Sequence, residues 1–227
     1  MSLYVLSDLH LSFGVDKPMD VFRGWENHTD RIVANWNRLV KKDDTVVLAG
    51  DTSWALKLEE TEKDFKFINS LPGKKIILKG NHDFWWSTVS KIKNFFKEKE
   101  IDTVDLLFNN SFIFEDIAVC GSRGWLYDGS GCEDEKIIQR ECGRLELSLK
   151  SVPENIKEKI VFMHYPPVYN GYVCRPIIDL LKQYGIKQVY YGHIHGTGKN
   201  NTVSEFEGVS MRLTSCDCVD FTPIFVR

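Results

Sequence analysis

Five short clusters hold the residues of this chain that can do chemistry. Ser7-Asp8-Leu9-His10, Gly50-Asp51, Gly80-Asn81-His82-Asp83, His164 and Gly192-His193-Ile194-His195 contain five of the six histidines, and each cluster follows a short apolar run. The sixth, His28, stands in Asn27-His28-Thr29-Asp30 and reads as the residue that opens a helix. Together the clusters offer Asp8, His10, Asp51, Asn81, His164, His193 and His195, a set of carboxylate, amide and imidazole groups without a thiolate. Such donors suit Mn²⁺, Fe, Zn²⁺ or Mg²⁺ better than copper(I) or an iron–sulfur cluster. They are too many for one ion that must keep an open position, but they divide between two ions bridged by one carboxylate, for which Asp51 is the natural choice. Taken singly, each residue has a plainer reading: an aspartate after a strand caps a helix or closes a turn, and a histidine beside an apolar run packs as a structural residue. Five clusters that all follow strands favour the metal reading.

The runs that precede the clusters read as strands: Tyr4 to Leu6, Thr45 to Ala49, Lys75 to Leu78, Ile160 to Met163 and Gln188 to Tyr191. Between them lie helical stretches. Asp30 to Lys42 carries Ile32, Val33, Trp36, Leu39 and Val40 on one face, and Glu59 to Leu71 turns Phe65, Ile68 and Leu71 inward. Ser87 to Glu98, Glu133 to Lys150 and Pro176 to Tyr184 are the other predicted helices. Phe112 to Phe114 and Ile117 to Cys120, around Glu115-Asp116, predict a hairpin, and Val209 to Leu213 and Pro223 to Val226 predict antiparallel strands. The expected architecture is α/β, with two mixed sheets packed face to face and helices on the outer faces, as one domain over residues 1–227. Carboxyl ends of parallel strands form one rim where ligands bind, so the clusters should converge there. Glycine precedes the polar residues in three of the five, as expected where the backbone turns sharply or a ligand comes close.

The composition narrows the class. With 227 residues, 43% of them apolar, the chain can build its own core without disulfides or a structural metal. Lys plus Arg number 29 against 32 Asp plus Glu, and a net charge of -3 lacks the basic footprint of a general nucleic-acid binder. No stable nucleic-acid binding is expected, while a nucleotide substrate stays open. Met1-Ser2-Leu3-Tyr4-Val5-Leu6 runs straight into a strand without a signal-peptide pattern, and no apolar stretch approaches the length of a membrane helix. A cytoplasmic protein with no membrane partner is expected, its six cysteines (120, 132, 142, 174, 216 and 218) reduced. Cys216-Asp217-Cys218, with no second pair, makes a poor zinc site.

Asp8-Leu9-His10, Gly50-Asp51, Gly80-Asn81-His82-Asp83, His164-Tyr165-Pro166-Pro167 and Gly192-His193-Ile194-His195 resemble, in order and across nearly the whole chain, the motif series of the calcineurin-like metallophosphoesterases. The resemblance implies a four-layer fold, a β-sandwich flanked by helices, and a hydrolase in which a hydroxide bridging two ions attacks phosphorus in line. It implies that Asp8, His10 and His195 bind the first ion and Asn81, His164 and His193 the second, with Asp51 shared. The ions would be divalent or trivalent: manganese, iron or zinc, with magnesium also compatible. His82 would act as an acid near the leaving group, and Asp83 would orient it.

The chain departs from the protein Ser/Thr phosphatases of this superfamily in two places. They extend the second motif as Gly-Asp-x-Val-Asp-Arg-Gly, where the arginine clamps phosphate, whereas this chain has Gly50-Asp51-Thr52-Ser53-Trp54-Ala55-Leu56. They also have Asn-His-Glu where this chain has Asn81-His82-Asp83. The expected substrate is therefore a small phosphorylated metabolite or nucleotide, a phosphomonoester or phosphodiester, rather than a phosphoprotein. A nucleotide pyrophosphohydrolase is the alternative at the same site. A non-catalytic protein-binding scaffold would have dropped ligands or the acid, and here the set is complete.

Trp54, Trp85, Trp86 and Trp125 lie in or just beyond the cluster loops. They read either as a wall on which a flat substrate group stacks or as core anchors, and the second reading suits Trp54 and Trp85 better. Arg123, in Cys120-Gly121-Ser122-Arg123-Gly124-Trp125, is the candidate to fork onto a phosphate oxygen in place of the missing clamp. Tyr127 and Arg175 are further rim candidates.

Overall fold

A computed structural model describes residues 1–126 and 132–227; Tyr127 lies outside the described residues. The first sheet aligns β1 (Leu3–Leu6), β2 (Thr45–Leu48), β3 (Lys74–Ile77) and β4 (Val104–Leu106) in parallel, in that order, with Val5 beside Val47 and Val47 beside Ile76. The second begins with the predicted hairpin, β5 (Phe112–Phe114) and β6 (Ile117–Ser122), and continues in β7 (Glu158–Met163). After a small hairpin of β8 (Val168–Tyr169) and β9 (Tyr172–Val173), it is completed by β10 (Gln188–Tyr191), β11 (Glu205–Phe206) and β12 (Val209–Leu213). Its order is β11-β12-β10-β7-β6-β5, while β13 (Ile224–Phe225) returns to the first sheet and pairs antiparallel with β1.

Alternation along the strands builds the layers. Leu3, Val5, Val47 and Ile76 of the first sheet meet Ile117, Val119, Ile160, Phe162 and Tyr190 of the second in a core between the sheets. The intervening residues point the other way, as the two-residue period of a strand requires. Leu6, Val46, Leu48 and Ile77 pack under α1 (His28–Leu39), α2 (Glu62–Ser70) and α3 (Val89–Glu98), through Ile32, Trp36, Phe65, Ile68, Ile92 and Phe96. Ala118, Cys120, Val161 and Val189 pack under α4 (Cys132–Lys150) and α5 (Arg175–Gln183), through Leu145, Leu149, Ile177 and Leu181. The result is the expected sandwich of two mixed sheets with helices outside.

Several expectations are corrected by long-range packing. Val209 to Leu213 runs parallel to β10; its antiparallel partner is β11, a two-residue strand too short to show a pattern. Val104 to Leu106 adds an unanticipated edge strand. The helix expected over Glu59 to Leu71 opens with a 3-10 turn, Leu58–Thr61. The helix that starts at His28 stops at Leu39, because Val40 turns extended and enters the core. Cys120, Cys142, Cys174, Cys216 and Cys218 form no disulfide. Among the described residues no helix is long and apolar enough to cross a membrane.

Candidate metal centre

The chain leaves β1, β2, β3, β7 and β10 on the five clusters, and backbone bonds lash these exits together. Asp8 N–H donates to Gly50 O (2.9 Å), His10 N–H to Asp51 O (3.0 Å) and Gly192 N–H to His164 O (3.1 Å). Asp8, His10, Asp51 and His193 take left-handed backbone, with φ of 59°, 47°, 50° and 70°. Non-glycine residues rarely adopt that conformation, and it persists where surrounding contacts over-determine it. A Cβ on Gly80 would strike the Asp51 carboxylate and one on Gly192 the Asp8 carboxylate, so glycine is what lets these loops close on the two aspartates.

The donor atoms fall into two adjoining sets. His195 Nε2 stands 3.4 Å from both Asp8 Oδ1 and His10 Nε2. Asn81 Oδ1 lies 2.6 Å from His164 Nε2 and 2.9 Å from His193 Nδ1. Asp51 Oδ2 sits between them, 3.4 Å from His164 Nε2 and 3.9 Å from His10 Nε2, and Asp8 also stands within ligand reach of Asp51 and His164. The structure thus brings all seven candidate ligands together. His164 Nδ1 faces the Ala49 carbonyl (3.1 Å), leaving Nε2 as the acceptor.

Electrostatics tests whether cations fit. Burial holds His10 and His164 down to about 3 and His193 to about 4, so all three keep a lone pair free at neutral pH. Asp51 is pushed up to about 9 by burial and then by the charges of Asp8 and Asp83. Burial also opposes ionisation of Asp8, but its bond to His195 and the nearby imidazoles hold it below the usual carboxylate range. His195 is held up to about 10: burial would lower it, and its bonds to Asp217 and Asp8 outweigh that. No lysine or arginine among the described residues pairs with Asp8 or Asp51. Asp51 thus holds a proton and Asp8 leans on the His195 imidazolium, and a pair of metal cations would take the place of those two protons among the donors.

Those ions would displace the protons on Asp51 and His195, so binding strengthens with pH. Between pH 6.5 and about 9 the metal-free fold holds protons on both groups that the unfolded chain has lost, and its stability therefore falls as pH rises. The expected result is that Mn²⁺ raises Tm, a hundredfold excess over Kd adding about 3 kcal/mol of stability, and that at one fixed Mn²⁺ concentration the rise is larger at pH 8 than at pH 6.5. Differential scanning fluorimetry at the two pH values checks this; a pH-independent shift would count against it.

Asp83 makes different contacts from those the resemblance implies. Its carboxylate is fully buried and accepts N–H bonds from Asp51 (3.0 Å), Thr52 (2.9 Å), Ser53 (3.2 Å), Gly80 (2.7 Å) and Trp85 Nε1 (3.0 Å). None of these donors is the His82 ring. Asp83 clamps the loop after β2 to the loop after β3, and so positions Asp51. Asp83→Ala leaves several buried amides unpaired and is expected to cost about 4 kcal/mol of stability, read from a urea melt. Unchanged stability with slowed turnover would restore the orienting role.

His82 is half-buried; its backbone N–H donates to Asp51 Oδ1 (2.7 Å) and its ring packs 4.4 Å from Trp54 and 5.7 Å from His10. Burial holds its pKa below the ordinary value. Trp54 stacks on His10, with centroids 4.8 Å apart and 21° between planes. Trp85 is a buried anchor on Asp83, Trp86 leans on Trp85 and Phe108, and Trp125 packs against Tyr165.

Neither arginine candidate lines the cavity beside His82. The Arg123 side chain is only 15% exposed and its Nη2 lies 3.5 Å from buried Glu141, which also draws Arg140 and Arg144. Only its carbonyl serves the centre, accepting from His164 N–H (3.2 Å). Arg175 pairs on the surface with Glu207 (2.8 Å).

Two residues at the centre carry no mark in the sequence. Asp217 accepts from His195 Nδ1 (2.8 Å) and Gly196 N–H (2.7 Å), and so turns His195 Nε2 toward the first donor set. Its short spacing to two cysteines hides it. Trp25, in an irregular stretch without periodicity, packs 5.7 Å from both His10 and His195.

Solved structures with this architecture include a phosphopantetheinyl hydrolase from Mycobacterium tuberculosis, 14% identical with a TM-score of 0.55 over 94% of this chain and 88% of that one. A protein from Thermus thermophilus is 13% identical, with a TM-score of 0.56 over 99% and 97%. A protein of unknown function from Aquifex aeolicus is 16% identical, with a TM-score of 0.53 over 99% and 95%. At these identities the likeness is one of fold, and no curated sequence matches the chain. All seven donors lie within residues 1–197, the stretch that matches the model of the calcineurin-like phosphoesterases, and the chain belongs to that family.

Proposed function

We propose that the chain hydrolyses a small phosphomonoester or phosphodiester at this centre. The observation that carries the reading is the meeting of two donor sets at Asp51 Oδ2, with the His82 ring beside the first set. Two divalent or trivalent ions bound there would lower the pKa of water and offset phosphoryl charge. The chain's own part is to hold its donors in one protonation state and to place an imidazole where the leaving oxygen departs. Ala55, at the position of the phosphate-clamping arginine in the protein phosphatase pattern, is buried, which supports a small substrate over a phosphoprotein. Mn²⁺-loaded protein is expected to cleave p-nitrophenyl phosphate or its bis ester, and the ratio of the two rates assigns monoesterase or diesterase character. A screen of phosphorylated metabolites and nucleotides, with Asp51→Asn as control, then narrows the substrate. Failure to cleave either nitrophenyl ester with any of Mn²⁺, Zn²⁺, Mg²⁺ or iron would overturn the reading.

A further inference from the structure

A cavity of about 470 Å³ opens in front of His10, His195 and His82. Its remaining walls are chiefly Met19, Phe22, Arg23, Trp25 and Trp54, and no member of the second donor set lines it. The cavity adjoins the first donor set and His82, so an ester substituent directed to the His82 side of the centre would enter it. The walls are aromatic and partly preformed: Trp54 is fixed by His10 and by its Nε1–H contact with Met19 Sδ (3.2 Å), while Phe22 is left 53% exposed. Besides the histidines, the charged side chains on the cavity wall are Arg23 and Asp217. Arg23 has no ion-pair partner among the described residues, and Lys17 Nζ lies 5.7 Å from the Trp54 ring. The wall carboxylate, Asp217, is already taken by His195 and Gly196.

Resting on the hydrolytic reading above, we propose that this cavity selects phosphoesters whose leaving group carries a flat aromatic ring, with Arg23 meeting an acidic substituent on the ring's outer edge. Aromatic walls hold a ring by stacking at small entropic cost, and an unpaired guanidinium at the mouth favours an anion. A nucleobase and a simple aryl group share this chemistry.

Non-hydrolysable phosphonates separate binding from turnover. In isothermal titrations of Mn²⁺-loaded protein, phenylphosphonate is expected to bind roughly tenfold more tightly than methylphosphonate, as ring stacking gives. A 4-carboxyphenyl group should add about threefold, the size of an exposed ion pair. Phe22→Ala should bring the phenyl-to-methyl ratio toward one, and Arg23→Gln should remove the carboxylate gain. No hydrogen bond, ion pair or ring contact joins either side chain to the donor sets among the described residues, so these ratios report on the cavity. Competition against phenylphosphonate by the phosphonate analogue of adenosine monophosphate tells a nucleobase from a simple aryl group. Equal affinity for methyl and phenyl, a preference untouched by Phe22→Ala, or no phosphonate binding while nitrophenyl esters are cleaved overturns the cavity assignment alone. If no phosphonate binds and neither ester is cleaved, the hydrolytic reading fails as well.

Discussion

Asparagine in place of Asp51 is expected to lower turnover by at least about 10³-fold while the chain stays folded. The substitution is nearly isosteric, and the amide oxygen can still accept the His82 N–H that Asp51 Oδ1 accepts at 2.7 Å. What is lost is Oδ2, the atom that faces both His164 Nε2 and His10 Nε2. An amide nitrogen there has no lone pair for a cation and brings no charge, so neither donor set keeps its shared member. Elemental analysis should find fewer than two ions per chain, and the rate on p-nitrophenyl phosphate should fall with it. Wild-type metal content together with wild-type turnover would show that Asp51 is not the shared ligand.

His82→Ala should do the opposite to the metals: both stay, while turnover falls by about 10²- to 10⁴-fold on an ester with a poor leaving group. The His82 ring approaches Trp54 and His10 but donates to neither carboxylate of the centre, and its backbone bond to Asp51 survives truncation. The size of the loss should follow the leaving group. An alkoxide needs a proton as it departs, whereas p-nitrophenolate does not, so the nitrophenyl ester should lose far less. Burial holds the ring's pKa below its ordinary value, so the proton-dependent rate should decline as pH rises through that lowered pKa. The comparison needs kcat on an alkyl and a nitrophenyl ester, with metal content measured on the same preparation. Loss of both ions in the variant would make His82 a ligand and remove it from the acid's role.

Much of the fold was legible because its signals are local. β1 and β2 are short, mostly apolar runs that lead into the polar clusters, and a parallel strand covered on both faces needs that composition. α1 shows its inner face as Ile32 and Trp36 at helical spacing. The elements missed or misread were short or depended on a distant partner. β11 has two residues and β4 three, and β12 runs parallel to β10 only because β11 turns the chain around beforehand.

By itself the sequence determined which groups are available at the centre and that they follow strands, since residue type and the exits of apolar runs are properties of the chain alone. Only the tertiary structure decided which partner each group takes. Asp83 serves the amides of residues 51–53, Glu141 captures Arg123, and Asp217 holds His195. Trp25 and Arg23 reach the cavity from a stretch with no periodic signal. Asp8 accepts from the His193 amide 185 positions away because the packing of the two sheets sets that pairing, and spacing along the chain carries no trace of it.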